Sequence, residues 1–215
     1  MTMTIGQLTD HCQQAYNSAI GDDFFPLPWY IAMIWRAETE LAIQGWVIEK
    51  TLATVSIAGT RELAWPSKTL AIREVRYDSK WLNKVTLKDD TKYDGSEPTG
   101  EPDSYAVWEN TVILFPTPDI SAKSIQLRCY MAPEQLINAV DPLNVPDEYQ
   151  IQLCDYVLAQ MAFKDQNLPL ASVYMGMWQQ TVERARQQRK RRLRSDKNMV
   201  VKDAYFCGSF SHGIW

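Results

Sequence analysis

Hydrophobic positions recur every three or four residues near both ends of the chain and follow a different rhythm in the middle. From Thr4 to Ala19 the apolar side chains fall on one face of a helix, and Thr4 with Gln7 fits an S/T-x-x-Q capping box. A second helix is predicted from Trp29 to Gln44, with Gly45 closing it. The chain therefore opens with two predicted helices.

Between residues 46 and 133, short runs of β-branched and aliphatic residues separated by turn formers replace the helical period. The clearest run is Ser124 to Tyr130, where Ile125, Leu127 and Cys129 alternate with polar residues. Such alternation predicts antiparallel strands with one face toward water. The polar stretch Asp89 to Ser104 is predicted to be a long surface loop.

The helical period returns after residue 133. One helix is predicted to begin with Pro146 at its first position, and another is predicted to begin near Pro169 and to run into a basic segment. Each helical pair needs cover for its apolar face, which predicts an α+β fold. The predicted fold is a four-helix bundle (residues 1–45 and 134–194) with an antiparallel, sandwich- or barrel-like β domain (46–133) inserted between helices two and three. An extended C-terminal arm (195–215) is predicted to follow.

The basic segment at the end of the last predicted helix is the strongest departure from an ordinary composition. Eight basic and two acidic side chains lie between residues 183 and 197, whereas the whole chain has a net charge of -4. Helical residues step by about 100°, so Arg189, Lys190, Arg191 and Arg192 would surround the helix. We therefore expect this turn, which Arg194 extends, to project into water or onto an acidic partner.

The segment after the basic turn is rich in large apolar side chains and poor in charge, which is not the composition of a disordered tail. We expect a partner chain to bury it, the alternative being that it folds back over the helices. The residues predicted to bind the partner are therefore Arg189, Lys190, Arg191, Arg192, Arg194, Tyr205, Phe206, Phe210 and Trp215.

Sequence signatures of the common hydrolases, nucleotide-binding proteins and zinc proteases are absent, and the two histidines, His11 and His212, have no obvious partner. We therefore predict no catalytic residue, cofactor or metal, and we do not expect an enzyme. The four cysteines are scattered singly and are expected to be small buried hydrophobes. Neither a membrane span nor export by the usual route is expected.

Two weaker patterns leave alternatives open. Asp90 to Glu101 fits a calcium-loop spacing, but Lys92 stands at a ligand position, so we favour a solvated acidic loop and leave cation binding open. Tryptophans such as Trp81 and Trp108 could stack on sugars, and the arginines could bind DNA phosphates. A glycan-binding β module on a helical base and a nucleic-acid-binding protein are therefore the alternative functions.

Several short motifs run through the predicted strands and helices: GTRELAWP (59–66), VRYD (75–78), PTGEPDSY (98–105), ILFPTPD (113–119), YMAPEQL (130–136) and VPDEY (145–149). These motifs resemble the head-to-tail adaptor (connector) proteins of tailed bacteriophages, in particular the podovirus-like family that docks to the portal. Tyr174, Trp178 and the arginine-rich end of the last helix are similar to that family as well, so the resemblance covers about residues 4–194.

The resemblance implies a structural virion protein that forms a homo-oligomeric ring, commonly a dodecamer. Such a ring docks beneath the portal protein after DNA packaging, completes the head and offers a platform for the tail or nozzle protein. It also implies that the C-terminal arm engages the portal, and that genomic DNA passes through the channel without sequence-specific binding. The expected location is the head-tail interface of the virion, and the host cytoplasm during assembly, with no membrane involved.

Overall fold

The chain folds as two units, each with its own secondary structure. The computed structural model describes residues 2–16, 25–86, 98–195 and 200–201. Among the described residues, those up to Ile48 together with Ala132–Arg192 form a helical unit, and those within Glu49–Met131 together with those after Arg192 form a sheet unit. The described residues contain four helices of twelve residues or more and antiparallel sheets, which confirms the predicted α+β class.

The first helix, α1 (Ile5–Tyr16), begins with the predicted capping box. The backbone N–H of Gln7 donates to Thr4 Oγ1 at 3.3 Å, and the Thr4 N–H donates to Gln7 Oε1 at 3.0 Å. These two bonds satisfy backbone donors that the first turn leaves open, which confirms the prediction. The predicted extension of this helix to Ala19 lies outside the described residues.

The second helix, α2 (Leu27–Gly45), ends where predicted but for a different reason. Trp46, not Gly45, takes the left-handed conformation (φ 52°), and its N–H donates to the Ala42 carbonyl at 3.0 Å. A Cβ atom on Gly45 would lie 2.5 Å from the Cβ of Ala185. Glycine is therefore required here by close packing rather than by its backbone freedom.

The predicted third helix is divided in the structure. A four-residue helix, α3 (Asp147–Gln150), is separated by one turn from α4 (Leu153–Lys164), and α5 (Leu168–Ser195) follows. At the break, the Cys154 N–H donates to the Ile151 carbonyl, three residues back instead of four. This tighter turn interrupts the α-helical ladder that the sequence pattern predicts as continuous.

Side-chain contacts join α1 to α4, α2 to α4, and α4 to α5. They are the thiols of Cys12 and Cys154, the hydroxyl of Tyr30 with the sulfur of Met161, and the rings of Tyr156 and Trp178, which meet edge to face at 5.4 Å. Five of these six side chains are buried in the core of the helical unit.

A buried carboxylate in α2 ties down the irregular segment that precedes α3. Glu38 Oε1 accepts hydrogen bonds from the backbone N–H groups of Asn144 (2.6 Å) and Val145 (3.3 Å), and Oε2 accepts one from Asn144 Nδ2 (2.8 Å). Burial raises the pKa of Glu38, and the three hydrogen bonds oppose that shift. One side chain thus satisfies several buried or partly buried donors of a segment that has no helix or strand of its own.

The sheet unit contains short strands arranged in three groups. They are β1 (Glu49–Val55), β2 (Glu62–Ala64), β3 (Thr69–Tyr77), β4 (Lys80–Trp81), β5 (Asn83–Lys84), β6 (Thr99–Gly100), β7 (Ser104–Trp108), β8 (Thr111–Phe115), β9 (Thr117–Pro118), β10 (Ser124–Met131) and β11 (Val200–Val201). The largest group has the order β1-β10-β3-β11, with β4 also paired to β3. The other groups are β2-β8-β7-β5 and the pair β6-β9.

Strand β10 confirms the predicted alternation. Ile125, Leu127 and Cys129 are buried, whereas Gln126 and Arg128 on the opposite face are partly exposed. Because successive side chains of a strand point to opposite faces, this sheet has one core face and one face in contact with water.

Two short strand pairs correct the expectation of a wholly antiparallel β domain. Strands β5 and β7 are parallel, and so are β6 and β9. In each pair the chain passes through at least one other strand before it returns, so no tight hairpin forces an antiparallel register.

The predicted surface loop is described only from residue 98 onward, and most of the Asp90 to Glu101 pattern lies outside the described residues.

Candidate partner-binding surface

The packing face of α5 extends from its apolar half into its basic half. Ala171, Trp178, Val182 and Ala185 are buried and recur at intervals of seven, four and three residues. This spacing is the heptad-like stripe of a helix that packs along a neighbour. Continued by four and then three residues, the same stripe reaches Arg189 and Arg192.

Helix α5 lies against α2 along this stripe. Trp178 Nε1 donates to Glu40 Oε2 at 2.9 Å, and Arg186 Nε donates to Gln44 Oε1. Since contacts further along α5 meet residues further along α2, the two helices run in the same direction. The α5 stripe therefore arrives at the C-terminal end of α2 just where the basic segment begins.

Arg189 closes the C-terminal end of α2. Its Nη1 donates to the carbonyls of Ile43 (3.3 Å) and Gln44 (3.2 Å), and its guanidinium stacks on the Trp46 ring at 3.8 Å from the centroid. Burial and the neighbouring Arg186 lower the pKa of Arg189, although a guanidinium stays charged at any physiological pH. A cation at this point meets the negative end of the α2 dipole and two carbonyls that have no partner within the helix.

Arg192 extends the same arrangement by one turn. Its Nη1 donates to the Trp46 carbonyl at 3.1 Å. Arg189 thus contacts the carbonyls that precede Trp46 and the Trp46 ring, and Arg192 contacts the Trp46 carbonyl. Together they form what we call the α2 clamp.

The α2 clamp corrects the expectation that the whole basic turn projects away from its own chain. That expectation is wrong for Arg189 and Arg192, which are partly buried against α2. It is right for Lys190 and Arg191, which are exposed. The reason is that consecutive residues of a helix point in different directions. Two of the cations point toward the C-terminal end of α2, whose partial negative charge attracts them.

The outward cations define the candidate partner-binding surface. Lys190 and Arg191 are exposed, and Arg184 is exposed seven residues before Arg191, on the same side of α5. No hydrogen bond or ion pair joins these three to other described residues. They form a positive surface on the opposite side of α5 from the α2 clamp.

The other residues predicted to contact a partner lie at the end of α5 or outside the described residues. Arg194 lies in the last turn of α5, and only its backbone is described. Tyr205, Phe206, Phe210 and Trp215 lie outside the described residues, as does most of the predicted arm. Their role as partner-binding residues stays a prediction.

The tryptophans considered for sugar stacking divide into buried and exposed groups. Trp65 is buried, whereas Trp81 is 43% exposed and Trp108 is 58% exposed. Trp81 already packs with two cations, since the guanidinium carbons of Arg128 and Arg76 lie 4.7 and 5.6 Å from its ring centroid. One of the two exposed rings is therefore engaged in cation-π contacts within the sheet unit.

Titratable groups show no metal-binding arrangement in the part of the chain that the structure describes. His11 is exposed on α1, and His212 lies outside that part. Cys12, Cys129 and Cys154 are buried, which confirms the prediction for these three cysteines. No described helix is both long enough and apolar enough to cross a membrane.

Both units and the basic end of α5 fall within one family match. The family model of the SU10 adaptor protein covers residues 3–200. The protein is therefore a structural adaptor of the bacteriophage virion, which confirms the resemblance to phage head-to-tail adaptor proteins in general. It belongs to the SU10 adaptor protein family. No curated protein matches the chain.

Proposed function

We propose that this protein forms a ring that joins the portal to the tail or nozzle and completes the head after DNA packaging, in a podovirus-like particle. The adaptor-family match over residues 3–200 is the observation that carries the proposal. In this proposal twelve copies form the ring, and each subunit is a four-helix bundle with an inserted β domain. Genomic DNA passes through the central channel without sequence-specific contacts.

The α2 clamp divides the basic segment into two roles in this proposal. Arg189 and Arg192 fix the direction of α5 through α2, so they position the partner-binding surface instead of contacting the portal directly. Lys190, Arg191 and Arg194 provide charge for an acidic portal surface. Tyr205, Phe206, Phe210 and Trp215 provide apolar anchors, because large aromatic side chains bury the most surface at an interface.

Modest contacts of this kind are sufficient in a ring. Once one subunit is seated, its neighbours meet their binding sites at high effective concentration, so avidity exceeds the affinity of one arm. The sheet unit is left to meet the tail or nozzle protein, with Trp108 as one exposed aromatic side chain.

A pair of matched variants tests the portal-binding role. Lys190→Ala with Arg191→Ala removes two outward cations, and Arg36→Ala with Lys80→Ala removes two exposed cations elsewhere. We expect the first pair to weaken binding to purified portal rings by roughly tenfold or more in co-sedimentation, because the loss repeats in every subunit. The control pair should bind as the unchanged protein does.

The arm is tested by truncation after Ser195, which keeps the α2 clamp, rather than after Gln188, which removes it. We expect the chain that ends at Ser195 to keep its helical unit folded, because Arg189 and Arg192 remain, and to lose portal binding. Strong, salt-dependent binding to duplex DNA without portal binding would instead identify a nucleic-acid-binding protein. Binding on a glycan array that Trp108→Ala abolishes would identify a glycan-binding module.

A further inference from the structure

Two cysteines far apart in the sequence face each other inside the helical unit. The Sγ atoms of Cys12 in α1 and Cys154 in α4 lie 2.9 Å apart. This distance is only about 0.9 Å longer than a disulfide bond. Both side chains are buried, at 0% and 4% exposure. The two thiols are therefore held together by packed helices, not brought together by a mobile surface segment.

The third described cysteine provides a contrast. Cys129 is buried in strand β10 of the sheet unit, where the Thr69 side chain is its hydrogen-bonding neighbour. Three buried cysteines therefore include one pair in contact and one cysteine in a different environment. The pairing of Cys12 with Cys154 is a specific feature of the α1-α4 interface.

We propose that Cys12 and Cys154 are an oxidation site that forms an intrachain disulfide with a glutathione-type disulfide as oxidant. One cysteine thiolate attacks the oxidant, forms a mixed disulfide and releases the first small thiol. The second cysteine thiolate then attacks the protein sulfur of that mixed disulfide and releases the second small thiol. Two cysteine thiols are oxidised to one disulfide, the oxidant is reduced to two thiols, and the two cysteine protons end on them.

Burial determines when this reaction occurs. The contact with Cys154 and burial raise the pKa of Cys12, so the closed helical unit keeps this thiol protonated and unreactive. The oxidant reaches the pair when α1 opens or while the helical unit is folding. Once formed, the disulfide is shielded from reductants by the same packing. The reducing cytoplasm preserves the thiols, whereas the medium outside the cell favours the bond.

The experiment uses the full chain refolded with oxidised and reduced glutathione, then alkylated under denaturing conditions and mapped by peptide mass spectrometry. We expect a peptide pair linked through Cys12 and Cys154 and a rise in melting temperature of roughly 10 °C, because the bond closes a long loop. Dithiothreitol should reverse both changes. Cys129→Ala should respond like the unchanged chain, whereas Cys12→Ala and Cys154→Ala should not respond.

The peptide map of the unchanged chain decides the question even if a variant folds poorly. Recovery of Cys12 and Cys154 as alkylated thiols after oxidative refolding would overturn the proposal, as would a linkage of either one to another cysteine. An equal rise in melting temperature for Cys154→Ala would also overturn it. None of these results bears on portal binding, so this inference and the proposed function can fail separately.

Discussion

Arg189→Ala isolates the contribution of the α2 clamp. The substitution removes one charged donor shared by the Ile43 and Gln44 carbonyls and one guanidinium stacked on Trp46. A hydrogen bond to a charged group contributes about 1.5–3 kcal/mol, and a partly exposed cation-π contact contributes about 1 kcal/mol. Because one nitrogen serves both carbonyls at distances above 3 Å, we expect a total loss of about 2–3 kcal/mol.

Urea denaturation followed by circular dichroism measures this loss, with Arg191→Ala as the matched control. Arg191 is exposed on the same helical turn, so its removal should change the free energy of unfolding by no more than about 0.5 kcal/mol. For a chain of this length, the Arg189→Ala loss corresponds to a fall in melting temperature of about 5–10 °C. Arg189→Lys keeps the charge but loses the planar fork, and should lie between the two.

Equal stability of Arg189→Ala and Arg191→Ala would refute this reasoning. It would mean that the α2 carbonyls are satisfied equally well by water and that Arg189 is as available to a partner as Arg191. Portal binding separates the two variants in another way, because any loss of binding by Arg189→Ala should accompany its loss of stability. Arg191→Ala should weaken binding without a change in stability.

Two further changes test the packing of the helical unit by thermal or urea denaturation. Gly45→Ala places a Cβ 2.5 Å from that of Ala185 and should cost about 1–3 kcal/mol of folding stability. Gly176→Ala, with open space around it, should be neutral or stabilising by up to about 1 kcal/mol. Equal effects of the two substitutions would contradict the close contact between the helices. Glu38→Gln turns an acceptor of the Asn144 donors into a donor and should cost about 2 kcal/mol. Because the folded state raises the pKa of Glu38 above its ordinary value of 4.5, the protonated form stabilises the unchanged protein at low pH and this contribution is lost as pH rises. The cost of the substitution should therefore shrink as pH rises above about 4.5, and a cost that does not change with pH would show that this pKa is not shifted.

Local patterns in the sequence predicted local structure well. The Thr4–Gln7 capping box and the alternation of Ile125, Leu127 and Cys129 depend on neighbouring residues, and both are present in the structure. The sequence pattern could also have predicted the α2 clamp, because the buried stripe that includes Ala185 continues by four and three residues to Arg189 and Arg192. Counting the charges around the helix does not reveal this, since a count treats every side of the helix as equally exposed to solvent.

Other features depend on contacts between distant residues that no local pattern encodes. Glu38 meets Asn144 across more than one hundred residues, and Cys12 meets Cys154 across a similar distance. Glu38 and Cys12 lie on helices, and nothing in the sequence around either residue predicts its distant partner. The requirement for Gly45 is of the same kind, because the side chain that excludes a larger residue belongs to another helix.

The split of the helical unit across the sequence sets an order on biosynthesis. Helices α1 and α2 leave the ribosome first, but the side chains that cover them, such as Met161 and Trp178, are translated only after the whole of Glu49–Met131. Until then Ile5, Leu8 and Leu41 have no apolar cover from α4 or α5. Nascent chains that stall before residue 153 should therefore recruit chaperones, and chains released after α5 should not.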